Sequence, residues 1–396
     1  LTGTDNLKTL NILKNNTSRL KIKKFKSGQK VYDWKIPDEW NVLDAYVKDK
    51  YGNKIINFKK NNLHLVGYSK PFKKRLKKKE FFNHLHSLKS LPNAIPYVTS
   101  YYNKYWGFCI SHNKKKLFDK IYKDNDNFDI LINVKFKKKG DMYYGETFLP
   151  GKSKKEILIS TYICHPSMVN NELSGPLVAV ALINFFKKKK LKRSLRFVFV
   201  PETIGSIAYI NHNLKRLKKN VIGGYVLTCI GDNRNYSIIK TKYENSLSDI
   251  AAKKAFIDLK IKYKSYSFLE RCSDERQYNS PGVDLKIATL MRSKPGTYKE
   301  YHTSLDDFKL VTKSGLTGGF KIAKTAIQNL LNLNTLKIEK KRPTNGIKPK
   351  CKFICEPNLG KRGLYNLLGI RLIGNSASKT KSRKLLDFLQ YSDGFN

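Results

Sequence analysis

The chain has 396 residues, 40% of them hydrophobic and 12% aromatic, a composition that supports a sizeable folded core and excludes a disordered chain. Its 78 Lys and Arg residues against 31 Asp and Glu residues give a formal net charge of +47. Such a charge favours anionic partners in general. We interpret it mainly as a solvated basic surface with a weak affinity for polyanions.

Cysteine usage and hydropathy indicate the compartment. Six cysteines are scattered along the chain, and no Cys-x-x-Cys pair indicates a zinc ribbon or a redox centre. We therefore predict a reduced, cytoplasmic protein. The N-terminal residues do not combine a basic stretch with an apolar core, and no apolar run reaches about 18 residues, so we expect neither a signal peptide nor a membrane span. Because the chain begins with Leu1 and not Met, we also expect that N-terminal residues are missing.

The first third of the chain predicts mostly extended structure. A helix with a basic end occupies about thirty residues, and Trp34 and Trp40 then flank Pro37, which favours two packed extended segments. Short strand-like runs follow, separated by turns rich in Asn, Gly, Pro and Lys. We predict a small β-rich domain over residues 42–136, whose histidines lack a metal-ligand spacing and are interpreted as structural.

From residue 137 the pattern changes to buried strands that alternate with helices. This alternation predicts an α/β fold with a doubly wound, mostly parallel sheet. The predicted strands are EILISTYIC, LRFVFV, GYVLTCI and KIATLMR. Residues 1–41 and 137–340 together would form the larger domain, into which the β-rich domain is inserted.

Each of these four strands is followed by a residue that can take part in chemistry: His165, Glu202, Asp232 and His302, in chain order. The carboxyl ends of parallel strands meet at one edge of a sheet, where ligands bind. Imidazoles and carboxylates hold Zn²⁺, and a glutamate that does not bind the metal can serve as general base. Glu202 is the candidate base, although a carboxylate at the start of a helix would have the same pattern.

Four more residues fall near this edge and are predicted to bind substrate. Asn171 lies in the loop after the first strand, and Tyr301 adjoins His302 as a pocket wall. Asp274 and Glu275 lie in an acidic loop flanked by Gly and Pro. These two acids could complete a metal site, bind a substrate amine or cap a turn, and the sequence leaves these roles open.

Five segments carry a resemblance to a known family: STYICHPSMVNNELSGP, FVPETIGSIAYI, YVLTCIGD, SDERQYNSPGVDL and EYHTSLDD. They resemble the aminopeptidase-like proteins often encoded among bacterial surface-polysaccharide genes, which are distant relatives of the co-catalytic zinc aminopeptidases. The resemblance extends over nearly the whole chain. It implies a zinc-peptidase-like fold with an inserted small domain, and a linker with a partial C-terminal winged-helix-like segment over residues 341–396.

The resemblance also implies roles for single residues. His165 matches the first metal histidine, Glu202 the general base and His302 the last metal histidine. Asn171 stands where the two-zinc enzymes have a bridging aspartate, and Thr203 where they have a second glutamate ligand. A neutral amide bridges two dications poorly and threonine offers no anionic oxygen, so one zinc ion is favoured over two, and a site without metal stays open.

The third ligand has two candidates. Asp232 follows the third strand, whereas another strand register would place Cys229 there; we favour Asp232. The resulting hypothesis is a zinc-dependent, aminopeptidase-like hydrolase that cleaves an amide bond in a small peptide or in an amide-bearing surface glycan.

The alternative hypothesis is a catalytically inactive peptidase-like scaffold or polyanion-binding protein. Winged-helix modules often bind DNA, but the fold alone does not establish function, so nucleic acid is the less favoured partner. The Lys-rich runs contain no aromatic residue that could stack on bases. A homo-oligomer stays open.

Overall fold

The computed structural model describes residues 2–17, 19–100, 103–333, 348–364, 369–370 and 381–394. In these residues the α-helices are α1 Thr4–Asn15, α2 Lys78–Phe82, α3 His112–Ile121, α4 Ser174–Phe186, α5 Ile204–Asn220, α6 Leu247–Asp258, α7 Glu275–Tyr278, α8 Lys313–Asn332 and α9 Lys381–Tyr391. The strands are β1 Lys21–Lys26, β2 Lys30–Val31, β3 Trp34–Lys35, β4 Glu39–Lys48, β5 Lys54–Asn57, β6 Phe72–Lys77, β7 Leu85–His86, β8 Val98–Thr99, β9 Phe108–Cys109, β10 Asn127–Lys137, β11 Asp141–Leu149, β12 Ser153–Tyr162, β13 Arg193–Val200, β14 Val221–Leu227, β15 Ser237–Ile239, β16 Lys264–Tyr266, β17 Ile287–Met291 and β18 Gly369–Ile370.

An eight-stranded sheet organises the larger domain, in the order β1-β11-β13-β12-β14-β17-β15-β16. Its central strands β13, β12, β14 and β17 run parallel. Antiparallel strands flank this centre on both sides, β11 at one end and β15 at the other. The predicted α/β fold with a mostly parallel sheet is confirmed, and the four predicted strands are β12, β13, β14 and β17.

Alternating side chains of the central strands fill two separate hydrophobic cores. On β12, Ile157 and Ile159 face a core that also contains residues of α1, α4, α6 and α8. Leu158, between them, faces the other core, which contains residues of α5. Because both faces are covered, these strands carry apolar side chains on both faces and give no regular hydrophobic-polar alternation.

The crossover helix α4 is packed between the sheet and α8, which explains why its sequence is apolar on nearly all sides. Its second residue is Gly175, where a Cβ atom would lie 2.4 Å from the Leu227 carbonyl oxygen and from Oγ1 of Thr161. Only glycine allows this approach of helix to sheet. The Ser-Gly pair therefore marks the point where the helix begins directly behind the strand ends.

A second, antiparallel sheet forms the inserted domain, in the order β5-β4-β10-β6. It extends from Glu39 to Lys137, and its core includes Phe81, Phe108 and Phe128. Residues 95–97 of the insertion contact the larger domain. There Tyr97 donates its backbone N–H to the carbonyl of His302 over 2.9 Å.

The C-terminal residues 348–364 and helix α9 lie against the loop that contains α7. Within residues 334–396, the predicted linker up to residue 347 and residues 365–368, 371–380 and 395–396 of the predicted winged-helix-like segment lie outside the described residues. Among the helices that the structure describes, none is both long and apolar enough to cross a bilayer.

Candidate functional site

The loop after β12 is the centre of the site. It runs through His165 into a π-helical turn, Val169–Leu173, directly before α4. Such turns inside helices are frequent at functional sites because they change the direction of the side chains that they carry.

Asp306 holds this turn in place. Its side chain accepts hydrogen bonds from the backbone N–H groups of Val169, Asn170 and Asn171, at 3.2, 2.5 and 2.9 Å. Burial raises the pKa of Asp306 to about 6, partly opposed by these hydrogen bonds. The sequence analysis missed this residue, although it lies four positions after His302 in the segment EYHTSLDD.

The imidazole of His165 is held through Nδ1, and its Nε2 is directed toward Glu202. Its Nδ1 lies 3.1 Å from Oε2 of Glu172, and its Nε2 lies 3.8 Å from Oε2 of Glu202. Burial alone would lower the pKa of His165, but Cys164 and Glu172 raise it well above its usual value. The arrangement of carboxylate, imidazole and open Nε2 is the one in which protein histidines bind metals.

His302 faces His165 across the site. The two ring centres lie 5.1 Å apart. Tyr97 of the inserted domain contacts both rings edge-on, with ring centres at 5.2 Å from His165 and 5.1 Å from His302. The backbone of His302 has φ +55° and is bonded to the inserted domain through Tyr97. The insertion thus contributes directly to the site, and no local sequence pattern indicates this role for Tyr97.

Glu202 lies at the sharp turn between β13 and α5, with its side chain 21% exposed. The next residue, Thr203, has φ +65° and donates its backbone N–H to Oδ1 of Asp274 over 2.8 Å. Burial and the charge of Glu202 raise the pKa of Asp274 to about 7. Oδ2 of Asp274 is buried and has no hydrogen-bond partner in the described part of the chain. The structure therefore brings Asp274 and Glu202 close together as two acids in a shared environment.

Asp232, the predicted third ligand, is fully buried and hydrogen-bonded both within its own loop and to the loops after β12 and β17. Its Oδ1 accepts from the backbone of Arg234 and from Oγ of Ser293, and its Oδ2 accepts from Nδ2 of Asn170 and the backbone of Ser293. The competing candidate, Cys229, has its pKa raised to about 12 by burial. Four hydrogen bonds thus already occupy both oxygens of Asp232.

Glu275 and Tyr301, predicted to bind substrate, lie in different surroundings. Glu275 is fully buried and accepts backbone hydrogen bonds from Cys272 and Ser273 and one from Oγ1 of Thr289. Tyr301 stacks on His302 with ring centres 3.9 Å apart. Glu275 thus caps its loop, and Tyr301 stacks against the histidine that it adjoins.

Asn171 has one satisfied and one unsatisfied polar atom. Its Nδ2 donates to the hydroxyl of Tyr162 over 2.9 Å. Its Oδ1 is buried and, among the described residues, has no hydrogen-bond partner. A buried oxygen without a donor is costly unless a ligand or an ion pairs with it.

The ring spacing of His165 and His302 is compatible with one shared zinc ion. Two imidazoles that share a tetrahedral Zn²⁺ through Zn–N bonds of about 2.1 Å place their ring centres about 5 Å apart, as those of His165 and His302 lie. Asn171 adds an unpaired oxygen donor, and Glu172 orients His165. Among the described residues, a group of three side chains has possible ligand atoms that all lie within 4.8 Å of one another: Cys164, His165 and Glu172. Asp232 and His302 are not in this set.

A cavity of about 510 Å³ opens beside the site, between the larger domain and the insertion. His165 and Glu172 line it, and the insertion contributes Trp40, Phe58 and Tyr97. Its volume suits a small-molecule ligand. The lining residues that the structure describes include the acids Asp5, Glu172, Asp306 and Asp307 and no Lys or Arg.

This fold and site belong to a recognised family. Residues 1–333 match the family described as a domain of unknown function, DUF4910, and residues 348–396 match a winged helix-turn-helix family. The chain therefore belongs to the DUF4910 family and continues into a winged-helix module, as the resemblance implied.

Individual relatives agree with this assignment. The chain is 38% identical over 396 residues to a Clostridium acetobutylicum protein named for polysaccharide biosynthesis and an aminopeptidase-like domain, covering all of this chain and 86% of that protein. A crystal structure of a C. acetobutylicum protein named as a peptidase matches with a TM-score of 0.79 at 36% identity, over 100% of this chain and 85% of that one. A zinc aminopeptidase from Bacillus subtilis matches with a TM-score of 0.59 at 14% identity, over 83% and 90% of the two chains. The last similarity shows the fold alone.

Proposed function

We propose that the protein is a metal-dependent hydrolase of amide bonds that uses a single zinc ion. The observation that carries this proposal is the geometry of His165, whose Nδ1 is held by Glu172 while its Nε2 faces Glu202 at 3.8 Å. His165 and His302 would hold the ion, with the unpaired oxygen of Asn171 as third donor in preference to Asp232, whose two oxygens already accept four hydrogen bonds. When bound, zinc supplies the Lewis acidity that lowers the pKa of water and polarises a carbonyl group.

The protein's own residues would carry the remaining steps. Glu202 would take a proton from the attacking water and deliver it to the leaving amine, since its side chain is partly exposed and lies 3.8 Å from Nε2 of His165. The cavity beside His165 would orient the substrate, and Tyr97 would form a wall that limits the access of water. The names of the two relatives from C. acetobutylicum support an aminopeptidase-like reaction in polysaccharide biosynthesis. We propose a peptide or an amide-bearing glycan as its substrate. We expect this reaction in the cytoplasm because all six cysteines are free thiols.

The test combines metal analysis with one substitution. Protein purified without chelators should contain about one zinc ion per chain, and the double variant His165→Ala/His302→Ala should lose it. Glu202→Gln should keep both the zinc and the fold while lowering kcat on aminoacyl p-nitroanilides by about 100-fold or more. A well-folded wild type that neither contains zinc nor binds it on titration would overturn the proposal.

An inactive scaffold is the second candidate, and it rests on Asn171 and Thr203. Both are neutral where the resemblance implies acidic ligands, so the loss of a second metal could have ended catalysis. A scaffold should be indifferent to Glu202→Gln. Its binding to a polyanion such as heparin should instead weaken steeply with salt.

A further inference from the structure

The turn that carries the proposed base is strained. Thr203, directly after Glu202, has φ +65°, a conformation that β-branched residues rarely adopt. Such strain persists only where the surrounding structure holds it, and it clusters at functional sites. The direction of the Glu202 side chain therefore depends on whatever holds Thr203.

Two side chains of the acidic loop hold Thr203. Asp274 accepts the backbone N–H of Thr203 over 2.8 Å and the hydroxyl of Ser206 at the same distance. Arg276 donates from Nη2 to Oγ1 of Thr203. The acidic loop thus fixes both the backbone and the side chain of the residue that follows the base.

Arg276 in turn is contacted by the C-terminal segment, which is residues 348–364 together with α9. Oε2 of Glu356 lies 3.5 Å from Nε of Arg276, and Nε2 of Gln390 donates to the Arg276 carbonyl over 3.0 Å. Glu356 and Gln277 exchange two hydrogen bonds, of 3.1 and 3.0 Å. A continuous series of contacts therefore joins the C-terminal segment to Thr203.

The residues that join the C-terminal segment to the acidic loop are buried. Glu356 is 5% exposed, Gln390 1% and Arg271 2%. Arg271 forms a further ion pair with Asp387 of α9 at 2.6 Å. Removing one partner of such a buried ion pair leaves the other charge buried and uncompensated. A substitution in the C-terminal segment should therefore disturb the acidic loop as well.

We propose that the C-terminal segment is a positioning part of the active site, in which Glu356 orients Arg276 so that Arg276 and Asp274 hold Thr203 and thereby aim Glu202. The winged-helix module would then be coupled to the hydrolase site and would not be an independent attachment. The proposal rests on the proposed role of Glu202 as general base.

The experiment uses the full zinc-loaded chain with L-leucine p-nitroanilide as the probe. Glu356→Gln removes the charge that faces Arg276, and Thr203→Val removes the hydroxyl that Arg276 contacts while it keeps the side-chain shape. Each should lower kcat by about 10- to 100-fold and leave KM within about twofold, because a slightly misplaced catalytic group slows the reaction without weakening binding. Thr203→Ser, which keeps the hydroxyl, should restore kcat to within about threefold of wild type.

A second measurement does not depend on activity. The backbone N–H of Glu202 lies 3.2 Å from Sγ of Cys164, which is 5% exposed. A loosened turn should expose this thiol, so Glu356→Gln and Thr203→Val should raise the rate of Cys164 alkylation by N-ethylmaleimide about tenfold, measured by peptide mass spectrometry.

Arg362→Gln is the matched control, because Arg362 joins the C-terminal segment to Asp33 and makes no contact with Arg276. It should change neither kcat nor the labelling of Cys164. If the wild type hydrolyses no probe, the proposed function fails, and the labelling rates alone decide the positioning role.

Two outcomes would overturn the inference. Wild-type rates of hydrolysis and labelling in both folded variants would show that the contacts do not position Glu202. An effect of Thr203→Val without one of Glu356→Gln would exclude the C-terminal segment as their source. If Glu356→Gln does not fold, Gln390→Leu replaces it, since Gln390 contacts both Glu356 and the Arg276 carbonyl.

Discussion

Nδ1 of His165 lies 3.1 Å from Oε2 of Glu172, seven residues later in the same loop. Both side chains are buried, at 6% and 7% exposure. The pair fixes the imidazole so that Nε2 points toward Glu202. It follows that part of the proposed metal affinity resides in a residue that does not touch the metal.

Glu172→Gln tests this relationship. The Gln amide oxygen can still accept a hydrogen bond from Nδ1–H of His165. It lacks the negative charge that makes Nε2 a stronger electron-pair donor to the metal, so zinc affinity should fall about tenfold. Competition with a chromophoric chelator measures the change. Glu80→Gln, at an exposed site in α2, is the control and should bind zinc like the wild type. Equal affinities for all three proteins would show that Glu172 is only structural.

Asn171→Asp should make zinc important for stability. The added carboxylate is buried, so without metal its charge should lower the melting temperature by several degrees, and saturating zinc should restore it. Melting curves with EDTA and with zinc measure both effects. The zinc content should stay near one ion per chain, since Thr203 still offers no second anionic ligand. A melting temperature that does not respond to zinc would place Asn171 outside the metal site.

Asp306→Asn should loosen the π-helical turn. An amide offers one acceptor oxygen in place of two to the three N–H groups of Val169, Asn170 and Asn171, so we expect a loss of about 2 kcal/mol in the free energy of unfolding. Urea denaturation gives this value. Asp307→Asn, one residue further at a half-buried position, keeps an oxygen that can accept the backbone N–H of Lys309 and should cost less than about 0.5 kcal/mol. The turn would be self-supporting if the two variants were equally stable.

Glu146 should determine part of the acid sensitivity of the fold. Burial alone would raise its pKa, but hydrogen bonds from Lys23 and Tyr209 and the charge of Arg196 lower it from 4.5 to about 2. A carboxyl group with a lowered pKa in the folded state contributes stability that is complete above its unfolded pKa, near 4.5, and that is lost as the pH falls toward 2.

Glu146→Gln should remove this contribution. The free energy of unfolding of the wild type should fall between pH 5 and pH 3 by about 2 kcal/mol more than that of the variant. Denaturation in urea at several pH values measures both slopes, with Glu80→Gln as the control. Parallel pH profiles for wild type and Glu146→Gln would contradict the assignment.

Local patterns in the sequence were sufficient to predict the sheet and the edge at which the site lies. Strands buried on both faces have long β-branched and aromatic runs, and polar residues after them mark the carboxyl edge. His165, Glu202 and His302 were all predicted from this rule, and the structure places His165 beside both other residues.

What local patterns could not supply are the contacts between distant segments. Asp306 lies 135 residues from Asn171, and Tyr97 lies 205 positions before His302. Asp232 illustrates the same limit, because its position at a strand end does not show that Asn170 and Ser293 already occupy its oxygens.

The sequence by itself determined the α/β class, the family and the residues that can carry chemistry, because periodicity, strand ends and long motifs are local properties of the chain. The tertiary structure alone decided which of those residues face one another, that the insertion reaches His165 and His302 through Tyr97, and that the C-terminal segment contacts the loop behind Glu202. The physical reason is that hydrogen bonds and ion pairs depend on distances of a few ångströms, which packing sets between segments that lie far apart in the sequence.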